Sequence, residues 1–196
     1  DNWCKETSKL INIEIIHNKN TENNISIYDK KLILKKNKNK NKPQNNTNEQ
    51  EQEQKYLDEE YENNEEEFDE LIFCARDIEE VIIPSNIKKI SKYSFEDTQI
   101  LRKVSFDMNS KLENISAFSF INSIIEHIII PRTLKEINDH AFSNCSQLQN
   151  VEIPIDSELE IIGDYSFSRC GIQIIYIPSK VTVIGKEAFS YSALEL

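Results

Sequence analysis

The chain is 196 residues long, 38% hydrophobic and 29% charged, with a formal net charge of −11. That length holds one or two domains. No run approaches the ~18 apolar residues of a membrane-spanning helix, and only three glycines are present, too few for a Gly-rich phosphate loop.

Charge divides the chain into three stretches. Residues 1–42 carry ten Lys/Arg against five Asp/Glu, residues 43–70 carry one Lys against twelve acids, and residues 71–196 are net −5. In the first 34 residues, Leu10-x-x-Ile13-x-Ile15 has an apolar-x-x-apolar-x-apolar pattern, and Ile25-x-Ile27 and Leu32-Ile33-Leu34 read as strands. This segment reads either as one degenerate coil of the repeat described below or as a separate small β unit. From 35 to 67 the chain is low in complexity. Lys and Asn alternate from Lys35 to Lys42, Gln, Asn and Glu fill 44–54, and an acidic run follows from Asp58 to Glu70. Such composition buries too little apolar area to offset chain entropy, so a charged disordered linker is expected.

From about residue 68 the chain repeats. An aliphatic residue is followed five positions later by Phe in Ile90/Phe95, Ile115/Phe120, Ile137/Phe142, Ile162/Phe167 and Ile184/Phe189, and the Phe residues recur at intervals of 25, 22, 25 and 22. Before the first pair, and after each of the first four, comes a box with apolar first, fourth and sixth positions. The boxes are Ile78-x-x-Val81-x-Ile83, Leu101-x-x-Val104-x-Phe106, Ile125-x-x-Ile128-x-Ile130, Leu148-x-x-Val151-x-Ile153 and Ile172-x-x-Ile175-x-Ile177. A period of this size signals stacked coils, each unable to cover its own apolar face alone. The boxes suit strands of a leucine-rich repeat, with Val104 inward and Lys103 and Ser105 outward. The expected fold is a β-rich leucine-rich-repeat solenoid of the α/β class. It has one parallel sheet of short strands at 81–83, 104–106, 128–130, 151–153 and 175–177, joined by turn or short-helix return segments. A small residue precedes each Phe (Ser94, Ser119, Ala141, Ser166, Ala188), as a tight corner between coils requires. Proline follows the box at Pro84, Pro131, Pro154 and Pro178, where a strand must end. Coils alternate in length, the longer ones adding two residues in the turns 107–110 and 155–158.

The run Ile130-Pro131 through Ile137, Ala141-Phe142 and Cys145 to Leu148 resembles a BspA-like leucine-rich repeat, as do Ile162-Gly163…Phe167…Cys170 and Ile184-Gly185…Ala188-Phe189. The resemblance covers about residues 71–196. It departs at Ser91, Ser116 and Asn138, which stand where glycine is usual, and in the first, degenerate unit around Phe68 and Phe73. It implies a surface or secreted protein, adhesin-like, that binds a host or matrix protein. Two other readings fit the residues: an intracellular leucine-rich-repeat scaffold or regulator, and the recognition region of a larger enzyme. The chain begins at Asp1 and ends at Leu196 inside a repeat box, so both ends read as cut from a longer product.

No candidate catalytic, cofactor or metal site emerges. Cys145 and Cys170 follow the repeat Phe by three positions, where other coils have Thr98, Ser123 and Ser192. That column reads as a packed corner with the thiols as small hydrophobes, although neighbouring coils could bring two cysteines within disulfide reach. Cys4 and Cys74 lack the spacing of a zinc site. His140 occupies a column otherwise filled by Tyr93, Phe118 and Tyr165, a structural position, and His17 and His127 are the other histidines. Asn-x-Ser/Thr acceptors at Asn24, Asn45, Asn114 and Asn144 are compatible with secretion without arguing for it. The net negative repeats argue against nucleic acid as a partner. The surface chosen for a protein partner is the outward strand face: Ile82, Lys103, Ser105, His127, Ile129, Asn150, Glu152, Ile174 and Tyr176. Its isoleucines and tyrosine stand where a solvated sheet favours polar groups.

Overall fold

The structure, a computed structural model, describes residues 25–28, 31–35 and 68–194. The readings for the box at 10–15, for the tracts between 36 and 67, and for Cys4, His17, Asn24 and Asn45 lie outside the described residues. In chain order the strands are β1 (Ile25–Tyr28), β2 (Leu32–Lys35), β3 (Glu70–Cys74), β4 (Glu80–Ile83), β5 (Lys89–Ile90) and β6 (Lys103–Phe106). There follow β7 (Asn114–Ile115), β8 (His127–Ile129), β9 (Glu136–Ile137), β10 (Asn150–Glu152), β11 (Ile161–Ile162) and β12 (Val183–Ile184). The described residues contain no helix, so the return segments are turns.

The boxes form a four-stranded parallel sheet, β4–β6–β8–β10, in chain order. Val81, Val104, Ile128 and Val151 stand in register and are buried. The fifth box behaves differently: residues 175–177 make no strand, and Ile175 and Ile177 are only half-buried.

One sheet was expected and two are present. The aliphatic residue of each aliphatic–Phe pair lies in a two-residue strand, and these strands pair in parallel as β5–β7–β9–β11–β12. Ile90, Ile115, Ile137, Ile162 and Ile184 are in register. β3 continues this sheet in parallel with β5. The hairpin β1–β2 then adds to β3 in antiparallel pairing. Leu32 and Leu34 of β2 join the same core as Leu71 and Ile90.

The corner at each Phe supplies a third line of bonds between coils. The N–H groups of Phe95, Phe120, Phe142 and Phe167 donate to the carbonyls of Ser119, Ala141, Ser166 and Ala188 in the next coil, at 2.7–2.8 Å. Residues two before and two after the Phe adopt positive φ in every coil, from Tyr93 and Asp97 to Glu187 and Tyr191. That conformation turns further N–H groups toward the next coil: His140 donates to Asp164 and Asn144 to Ser168, at 2.8 and 2.9 Å. Left-handed backbone costs L-residues about 1–2 kcal/mol each. The cross-coil bonds, and Asn or Asp at Asp97, Asn122 and Asn144, offset part of it.

The Phe rings stack along the solenoid axis, with centroids 4.4 Å apart for Phe95/Phe120, then 4.8, 5.1 and 5.5 Å to Phe142, Phe167 and Phe189. A second stack, Tyr93–Phe118–His140–Tyr165, runs along the left-handed column at 5.5, 4.8 and 5.0 Å. His140 is thus one ring in an aromatic ladder, as its column position implied. The two turn lengths also have a local cause. In short coils the N–H of Ile87, Leu134 or Val181 closes the turn on the proline carbonyl. In long coils Ser110 or Ser157 closes it, and that serine's Oγ accepts from Leu112 or Leu159 two residues on.

Candidate protein-binding face

The box sheet turns one face to the core and the other to solvent, because side chains alternate along each strand. On β4, Val81 and Ile83 are buried, while Glu80 and Ile82 are exposed. The register places Glu80 beside Lys103, Lys103 beside His127, and His127 beside Asn150. One step along the strands, Ile82 lies beside Ser105, and Ile129 beside Glu152. An ion pair crosses this face from Lys103 Nζ to Glu80 at 3.9 Å, and His127 Nε2 lies 3.8 Å from Glu152. All four side chains reach solvent, so these contacts contribute little to stability.

Seven of the nine selected residues therefore lie on paired strands of one sheet. Ile174 and Tyr176 come from the fifth box, outside regular strand, yet both reach solvent like Ile82 and Ile129. The exposures are 64% for Ile82, 52% for Ile129, 77% for Ile174 and 54% for Tyr176. Beside this face lies an open groove of about 700 Å³, between the turn 107–110 and the start of the next coil. Ser105, Phe106, Met108, His127, Ile129 and Pro131 are among the residues that line it.

Met108 was missed by sequence reasoning. Its side chain is 93% exposed, and Ile155, at the same position of the next long turn, is 77% exposed. A signal existed: the two long turns each carry an apolar residue two places after the box. Only the folded turn shows that both project into solvent.

The remaining candidates are structural. Cys74, Cys145 and Cys170 are buried free thiols. Cys145 Sγ donates to the Phe120 carbonyl at 3.0 Å and Cys170 Sγ to that of Phe142 at 3.1 Å, while Ser192 and Thr98 bond the Phe carbonyls of their own columns. Four of the five residues in this column thus place a small donor on a Phe carbonyl. Burial pushes the Cys145 thiol up to about 12, and raises Cys170 above its ordinary value. Asn114 lies in β7 with its amide donating to Glu136 at 2.9 Å, whereas Asn144 is exposed on a turn. Among the described residues no His, Cys, Asp and Glu gather as a metal site, and no helix is long and apolar enough to cross a membrane.

A profile of the BspA type leucine rich repeat region matches residues 66–195 in six copies. The chain belongs to the BspA-type leucine-rich repeat family. The chain is 28% identical to the pneumococcal vaccine antigen PcpA, with a TM-score of 0.59, over 63% of this chain and 34% of that one. The repeats thus span about a third of that antigen's length. A leucine-rich cell surface protein from Faecalibacterium prausnitzii is 22% identical over 60% of this chain and 40% of its own, with a TM-score of 0.39. No curated protein is significantly similar in sequence. Family and fold together support a repeat module for protein interaction.

Proposed function

We propose that the outward face of the box sheet binds a protein partner, and that the chain is the recognition part of a cell-surface or secreted, adhesin-like protein. One observation carries the reading: Ile82, Ile129, Ile174 and Tyr176 are exposed along a single face of the solenoid. Scattered apolar residues need no explanation, but several on one outward face, one of them, Ile129, also lining a groove, favour a contact surface. Tyr176 offers the aromatic area and polar tip favoured at binding hot spots. The cell-surface part draws on the similarity to a vaccine antigen and on the family. No nucleic acid or cofactor is needed.

The test uses purified chain on a biosensor against collagen, fibronectin and laminin, with Ile129→Asp and Tyr176→Ala beside the parent. Each variant is expected to lose about tenfold or more in affinity, as removal of a hot-spot contact does, while its melting curve stays unchanged. Binding by none of the three ligands counts against a matrix-binding adhesin. Equal binding by parent and both variants moves the site off this face.

A further inference from the structure

The groove beside the sheet differs in charge from the repeat block that carries it. Its lining carries Lys103, Lys111 and Arg132 against one acid, Asp107, in a repeat block, residues 71–196, that is net −5. Apolar residues also line it, among them Phe106, Met108, Ile129, Pro131 and Pro154. Two of these cations are ion-paired to acids outside the groove, Lys103 to Glu80 at 3.9 Å and Arg132 to Asp156 at 3.1 Å, and both pairs are exposed. Exposed pairs hold their partners weakly, so an incoming carboxylate can share these cations.

We propose that this groove binds an acidic peptide segment of a partner protein, anchored by one aromatic or large aliphatic side chain. The inference rests on the reading of the outward face as a protein-binding surface and narrows it to a ligand class. The anchor would lie against Met108 and Ile129, where apolar area now faces water. Acids flanking the anchor would meet Lys103, Lys111 and Arg132. The volume suits one or two side chains rather than a folded domain. The rest of the repeat block is net acidic and repels such a ligand, so charge adds selectivity and orientation as well as attraction. A polyphosphate would also find the cations, but it has no use for the apolar lining.

The test is fluorescence anisotropy on the full chain with three labelled hexapeptides. One carries a central Leu-Tyr pair flanked by Asp and Glu, one the same pair flanked by Lys and Arg, and one has Ala-Ala between the acids. The first is expected to bind about tenfold or more tightly than either control, and to weaken as salt rises from about 50 to about 500 mM, as screening requires. Lys103→Glu with Arg132→Glu, and separately Met108→Asp, should each lower its affinity about tenfold or more. These side chains are exposed, so circular dichroism and melting should be unchanged. The proposal is overturned if the basic or Ala-Ala peptide binds as well, if both variants bind normally, or if an oligonucleotide displaces the peptide at lower concentration than unlabelled peptide does. Self-association of the chain that the peptide competes away would instead assign the groove to a second copy. A protein ligand that is lost with Ile129→Asp but unaffected by the Lys103/Arg132 reversal would overturn the acidic-peptide assignment while sustaining the broader reading.

Discussion

Cys145 and Cys170 show how one position can satisfy two demands. Each fills a corner too tight for a large side chain and donates to a Phe carbonyl of the preceding coil. Burial holds the Cys145 thiol near 12, so it stays protonated at neutral pH. The folded protein should therefore leave Cys74, Cys145 and Cys170 unmodified by iodoacetamide at pH 8, and unfolding in urea should expose all three; peptide mass spectrometry reads this directly. The sign for stability follows. A thiol raised on folding contributes stability that is complete below its unfolded value, about 8.5, and is lost as pH rises toward 12. Ser119 and Ser166 make the opposite case. Their buried hydroxyls have no partner among the described residues, while Ala141 and Ala188 fill the same column. Ser119→Ala should be neutral or stabilising by up to about 1 kcal/mol, since an unsatisfied buried hydroxyl costs free energy. A urea midpoint clearly below the parent's would show that this hydroxyl is bonded.

At the scale of the coil, the glycine column has a definite cause. Asp139 Oδ1 accepts the N–H of Asp164 at 2.9 Å, and Asp164 Oδ1 accepts that of Lys186 at 2.6 Å. Each such carboxylate draws two turns together, and a Cβ added at Gly163 would lie 2.6 Å from both the backbone N and Oδ1 of Asp139. Where the preceding coil has Lys92 or Ala117 in place of Asp, the column holds Ser116 or Asn138, and the side chain finds its own bond: Asn138 donates to the Ile115 carbonyl at 3.1 Å. Gly163→Ala should cost about 1–3 kcal/mol, as overpacking does. Combined with Asp139→Ala, the loss should be less than additive. Full additivity in urea melts would separate the glycine from the aspartate.

β3 is fixed to its neighbours by Glu70, which receives a hydrogen bond from Ser91 and lies 2.9 Å from Lys89 and 3.9 Å from Lys35. Burial raises this carboxyl's pKa, but the Ser91 hydroxyl and Lys89 ammonium outweigh it and hold it below the usual range. A depressed carboxylate contributes stability above its unfolded value of about 4.3 and loses it as pH falls through the lower folded value. The stability gap between parent and Glu70→Gln should thus be constant near neutrality and close below about pH 4. A gap unchanged down to pH 2 would exclude an ionised Glu70 as its source.

Across the whole molecule, stability passes from coil to coil rather than out from one centre. Phe142 is fully buried between Phe120 and Phe167. Phe142→Ala should cost about 3–5 kcal/mol, the range for a buried Phe truncated to Ala. The loss should extend to both neighbours: amide exchange should quicken at Phe120 and Phe167 as well as at position 142. Urea midpoints equal to the parent's would remove Phe142 from the core.

The amino-acid sequence alone determined the repeat, its phase and its inward column. A fixed period of apolar residues can be buried in only one way, by stacking coil on coil, so Val81, Val104, Ile128 and Val151 had to align. It also determined which box residues point outward, because strand side chains alternate. Tertiary structure decided what depends on neighbouring coils. A two-residue strand such as β7 has no alternation to read, so the second sheet appears only when Ile115 lies between Ile90 and Ile137. The fate of the fifth box, the projection of Met108 and the basic lining of the groove were settled the same way. Each depends on which residues of different coils come to lie side by side, and spacing along one coil carries no information about that.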